Sequence, residues 1–147
     1  MPSPDLKSDR PYAQTLHTLH RKGLRPTRQR LALGRLLFDG GPRHVTAEAL
    51  HDEAAGAGVR VSLATVYNTL HQFTDAGLLR EVVIDGGRTY FDTNLDDHHH
   101  FYHVEEARLE DIPGAGVVVS GLPQVPDGAQ LDRIDVIVRI HGTGKPR

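Results

Sequence analysis

Apolar residues recur at helical spacing over the first half of the chain and at strand spacing over much of the second. Tyr12, Leu16 and Leu19 mark one helix that stops at Gly23, a residue suited to a helix C-terminus. Pro26-Thr27 opens a second, whose apolar positions Leu31, Leu33, Leu36, Leu37 and Phe38 run to the breaker Asp39-Gly40-Gly41-Pro42. Thr46 caps a short third helix carrying Ala47, Leu50 and Ala54, which the Gly56-Ala57-Gly58 turn closes. Ser62 caps a fourth, with Leu63, Val66, Leu70 and Phe73 at i, i+3, i+7 and i+10, ending at Gly77. Two helices joined by a glycine turn predict a helix-turn-helix.

The period then changes to two. Glu81-Val82-Val83-Ile84 and Arg88-Thr89-Tyr90-Phe91 flank Asp85-Gly86-Gly87, which predicts a hairpin placed as the wing of a winged helix. Farther on, Phe101 to Glu105, Val117 to Ser120, and the alternating Ile134, Val136, Val138 and Ile140 predict three strands. The expected class is α+β. A winged helix-turn-helix DNA-binding domain would occupy residues 1–92, and a small C-terminal α/β dimerisation domain residues 93–147. A sheet built from about 45 residues buries too little alone, so a homodimer is expected, presenting two recognition helices to successive half-sites.

Composition narrows the function classes. The chain has 147 residues, 38% hydrophobic and 5% aromatic with no Trp, which fits one globular unit or two small ones with aliphatic cores. The absence of Cys excludes disulfides, thiolate zinc sites, iron–sulfur clusters and a Cys nucleophile. No apolar run approaches the roughly 20 residues of a membrane span, and Met1 to Arg10 lacks the apolar stretch of a signal peptide. A cytoplasmic protein without a membrane partner is therefore expected.

The net charge of -2 conceals an asymmetry. Residues 1–80 carry 11 Lys/Arg against 7 Asp/Glu, and residues 81–147 carry 6 against 12. Between Arg10 and Arg43 the only acid is Asp39, against a stripe that includes Arg25, Arg28 and Arg30. Such a stripe suits a polyanion. The outward face of the fourth helix presents Thr65, Tyr67, Asn68, His71 and Gln72, side chains that hydrogen-bond base edges and phosphates. The expected partner is a double-stranded DNA operator.

Ten His are present, and Asp92, Asp96, Asp97, His98, His99, His100 and His103 fall within twelve residues directly after the wing. In an extended segment His98 and His100 point one way and His99 the other, so one run can serve two faces. Imidazole with carboxylate suits Zn, Fe, Mn or Ni, and two axial imidazoles can also hold haem iron. His44, before the helix-turn-helix, is a further candidate from the DNA-binding half. No HExxH, nucleophile elbow or Gly-rich phosphate loop accompanies the cluster, so an enzyme is not expected.

Arg60-Val61-Ser62-Leu63-Ala64-Thr65-Val66-Tyr67-Asn68-Thr69-Leu70, followed by Phe73 and Asp75-Ala76-Gly77-Leu78, closely resembles the recognition helix of the ferric uptake regulator (Fur) family. Gly23-Leu24-Arg25-Pro26-Thr27-Arg28-Gln29-Arg30, His44-Val45-Thr46-Ala47-Glu48 and Phe91-Asp92 through His98-His99-His100 resemble its helix entry, helix-turn-helix start and metal-rich hinge. The likeness covers about residues 12 to 142. The triplet running into Phe101-Tyr102, the missing CxxC pairs and Val136-Ile137-Val138-Arg139 are most similar to the iron response regulator (Irr) branch.

The resemblance implies a dimeric regulator of iron and haem genes responding to divalent metal (Fe, Mn or Zn), to haem, or to both. It places His44, Asp92, His98 or His99, His100 and an acid at Glu110 or Asp111 at the family's regulatory-site positions, with haem on His98, His99 or His100. It also matches Arg25, Arg28, Arg30, Arg60 and Tyr67 to DNA contacts, to which the helix face adds Thr65 and Asn68. The Cys-Pro motif of some haem-responsive members is absent, and Phe101 stands where many members place a further His. Two alternatives stay open: an ordinary metal-dependent repressor of the Fur type, and a haem or metal carrier whose basic face meets an acidic protein.

Overall fold

The computed structural model describes residues 12–85 and 87–142. The chain divides into two compact units, Met1–Leu95 and Asp96–Arg147. The class is α+β, as expected. Among the described residues the α-helices all belong to the first unit.

The first unit runs α1 (Ala13–Arg21), α2 (Arg28–Phe38), β1 (His44–Val45), α3 (Ala47–Gly56), α4 (Leu63–Asp75), β2 (Arg80–Asp85) and β3 (Arg88–Asp92). The predicted caps Thr46 and Ser62 are made by side chains, and Thr27 at the helix opening proves to be a third. Thr27 accepts from the Arg30 N–H, Thr46 from Ala49 and Ser62 from Thr65, each satisfying an otherwise orphaned donor. The stops are equally local. After α3 and α4 the N–H groups of Val59 and Leu78 reach back to the carbonyls of Ala54 and Phe73, and Gly58 and Gly77 take the left-handed φ this closure requires. Leu19, Leu33, Leu37, Leu50, Val66, Leu70, Phe73 and Phe91 are fully buried, one face from each helix plus the sheet. Gly34 lets α1 and α2 meet closely, because a Cβ there would stand 2.7 Å from the Thr15 methyl.

The wing is the antiparallel pair β2–β3, and the short β1 adds to the other edge of β3, giving the order β1-β3-β2. The sequence pattern places no strand at His44. Two residues are too few to show a period, and the strand exists because β3 offers a free edge.

The second unit holds β4 (His99–His103), β5 (Arg108–Ile112) and β6 (Ile137–Ile140), in the order β5-β4-β6. β4 pairs antiparallel with β5 and parallel with β6. Two expectations change. The strand expected at Val117 to Ser120 is irregular chain with Val118 88% exposed, since a β-branched run with no ladder partner gains nothing from extension. The third strand of this sheet is instead Arg108–Ile112. Its charged Arg108, Glu110 and Asp111 mask the two inward residues, Leu109 and Ile112.

Candidate metal centre and nucleic-acid interface

Alternation along β4 and the residue before it sets the candidate metal-ligating side chains. His98 and His100 project to one face with ring centroids 4.6 Å apart, and both are buried. His99 lies on the other face, where its Nδ1 accepts the Val136 N–H at 3.1 Å. The β4–β5 register puts Asp111 directly opposite His100. Asp111 Oδ1 then lies 3.3 Å from His100 Nε2 and 3.6 Å from His98 Nε2.

His98 Nδ1 is 2.5 Å from the Asp96 carbonyl oxygen, so Nδ1 carries the proton and Nε2 presents a lone pair toward a carboxylate. Two acceptors facing each other are reconciled by a cation or an added proton. Fixing the remote ring nitrogen with a carbonyl is also how metal-ligating imidazoles are oriented. The ligand atoms of His98, His100 and Asp111 lie within 4.8 Å of one another, and imidazole with carboxylate suits divalent Fe, Mn or Zn. The donors present fit such an ion.

His103 belongs to a different arrangement. Its Nε2 is 2.8 Å from Glu110 Oε1, and this contact, aided by Arg108, holds the Glu110 carboxyl below the ordinary glutamate range. In the first unit, Asp92 is buried at the end of β3, with His44 of β1 and Arg80 of β2 as its register partners. The His44 ring meets Tyr90 edge-on at 6.2 Å.

The nucleic-acid candidates lie in the first unit. Arg25, Arg28, Arg60 and Asn68 are exposed, and Thr65 and Tyr67 are half-buried. Arg28 and Arg60 rim a cleft of about 750 Å³ floored by Leu31, Ala32, Val59 and Val61. Thr65 is bound into the α4 cap, where its hydroxyl accepts from Ser62 at 2.9 Å. The Tyr67 hydroxyl donates to Glu48 Oε2 at 2.9 Å, and this carboxylate holds the phenol proton on, raising its pKa above the ordinary value. The Tyr67 ring stacks on His71, which meets buried Phe91 edge-on at 5.5 Å.

Arg30 departs from the simple picture of a free cation. Its Nη1 donates to the Arg25 carbonyl at 2.8 Å, and its Nε and Nη2 both donate to Gln72 Oε1, at 3.1 and 2.9 Å. Neither this link nor Glu48 is visible to patterns within one helix, because both join residues far apart in sequence. For Asp111 a signal was available: once a turn is placed between His103 and Arg108, antiparallel register alone pairs it with His100.

A family model described as the ferric uptake regulator family matches residues 21–117, more than half of the chain. The chain belongs to the ferric uptake regulator family. The Shigella flexneri ferric uptake regulation protein is 37% identical over 81 residues, 55% of each chain, and the Escherichia coli K12 protein is 36% identical over the same span. The chain thus spans about half the length of the curated relatives it matches. The Pseudomonas aeruginosa ferric uptake regulator, solved with manganese, is 26% identical at a TM-score of 0.67, covering 87% of this chain and 97% of that one. The Vibrio cholerae regulator has the same TM-score at 22% identity, a likeness of fold. No helix among the described residues is long and apolar enough to cross a membrane.

Proposed function

We propose that the protein is a homodimeric, sequence-specific DNA-binding regulator whose operator affinity is set by a divalent metal, Fe, Mn or Zn. The observation that carries the metal reading is the buried His98–His100 pair converging on Asp111. Asp92, six residues before His98, is the proposed fourth ligand, with His44 and His99 as further candidates. The α4 face, with exposed Arg60 three residues before it and exposed Arg25 and Arg28 at the entry to α2, supports the DNA reading, and membership of the family supports both.

When bound, the metal would supply positive charge that neutralises the facing carboxylate and would draw on the imidazole nitrogens of His98 and His100 as ligands. The Asp96 carbonyl holds His98 in one tautomer, and burial of the two imidazoles limits the water that reaches them. Regulation follows if the ion binds the DNA-competent state more tightly than the other. The same linkage requires operator DNA to raise metal affinity by the same factor.

The test is a titration of purified protein against a duplex selected from a random pool, under chelated, Mn-loaded and haem-loaded conditions. Binding that requires Mn and is lost in His98→Ala/His100→Ala supports the proposal. Loss of binding with haem alone would move the protein to the Irr-like reading, with haem on His98, His99 or His100. Failure to enrich any sequence, with a weak salt slope, would favour a metal or haem carrier.

A further inference from the structure

We infer that Gln72 reads the operator as a donor-only side chain and that Arg30 is the positioning residue that makes it so; this rests on the DNA-binding reading above. A glutamine amide ordinarily offers both an acceptor and two donors, and that pair of functions lets it take the N6 and N7 edge of adenine. A guanidinium has donors only. Because two nitrogens of Arg30 converge on one atom of Gln72, that atom must be the amide oxygen, and the acceptor is consumed inside the protein. That leaves the NH2 group of Gln72 as the function it can offer to DNA.

Thr65, Asn68 and Gln72 follow one another at i, i+3 and i+7 on α4, about 10 Å along the helix axis, so the three share one face. Asn68 and Gln72 are both exposed amides there. Among the described residues no hydrogen bond engages the Asn68 side chain, so it keeps both functions and can take adenine. Two chemically similar amides thus acquire different preferences. A donor-only NH2 matches guanine, which presents two acceptors, O6 and N7, and no donor at that edge. Arg30 itself, held by Gln72 and the Arg25 carbonyl, contributes placement rather than a phosphate contact.

The experiment compares sites selected from a random duplex pool by the Mn-loaded full chain and its variants, together with the dependence of affinity on salt. Wild type is expected to hold guanine at one pair in each half-site. Arg30→Met frees the amide oxygen, so adenine is admitted there and discrimination falls by about tenfold, while the salt slope stays that of wild type. Gln72→Glu converts the reader into an acceptor and moves the preference to cytosine, whose N4 is a donor, without disturbing the partner of Arg30.

Identical selected sites from wild type and Arg30→Met would overturn the inference. So would a salt slope lowered by about one in Arg30→Met, the mark of a lost phosphate contact. Failure of wild type to enrich any sequence would instead sink the DNA-binding reading on which the inference stands.

Discussion

The two units bury different chemistry. In the first, the fully buried side chains are mostly leucine, valine and phenylalanine drawn from all four helices and β3. In the second, Tyr102, Leu109 and Ile112 share the interior with His98, His100 and His103. Apolar burial is non-directional, and each side chain of this size contributes about 1.5–3 kcal/mol whatever its exact neighbours. A buried imidazole behaves otherwise, stabilising only when its nitrogens find partners and costing free energy when they do not. The first unit is therefore held chiefly by area, and the second more by particular bonds.

The sharpest way to break this contrast is a truncation in the first core. Leu70→Ala should lower the unfolding free energy by about 2–5 kcal/mol in a urea titration, and a loss below about 1 kcal/mol would show that area is not the main support. Next in size is metal itself. Mn at a hundredfold excess over its dissociation constant should stabilise by about 2.7 kcal/mol, read from slowed hydrogen exchange of the β4 amides. His100→Ala should abolish that increment, and an undiminished effect would detach the site from this pair. Ser62→Ala should cost about 1 kcal/mol by freeing the first N–H groups of α4, with thermal unfolding as the measure.

The smallest effect is expected from a surface pair in the first unit. Arg43 holds the Glu53 carboxyl below its ordinary value through a two-bonded contact at 2.8 and 2.7 Å. A depressed folded-state pKa gives stability that is complete above the unfolded value and is lost as pH falls through the folded one. Stability of the wild type should thus decline slightly more than that of Glu53→Gln on acidification through the glutamate range. Parallel curves for the two proteins would remove the pair from consideration.

The same contrast explains how far the sequence could be read. Helices of the first unit announce themselves through local rules, since Thr27, Thr46 and Ser62 each bond an N–H three residues on. The second unit depends on partners distant in sequence. Val117 to Ser120 has every intrinsic preference for a strand and no neighbour to pair with, whereas Arg108–Ile112 has a charged pattern and a ready partner in β4. The histidine run pointed to the site, and alternation correctly separated His99 from His98 and His100. That Gln72 is tied to Arg30, forty-two residues away, is a tertiary fact no spacing carries.

The order of pairing around β4 also bears on how the molecule comes together in time. His100 and Asp111 are cross-strand partners in a hairpin closed by a few residues, while His100 meets Ile137 only after the chain has looped across thirty-seven. The shorter loop closes at lower entropic cost and on a faster timescale. The proposed ligands His100 and Asp111 thus meet in the local half of the sheet, and an ion captured there would act as a nucleus on which the parallel strand completes the unit.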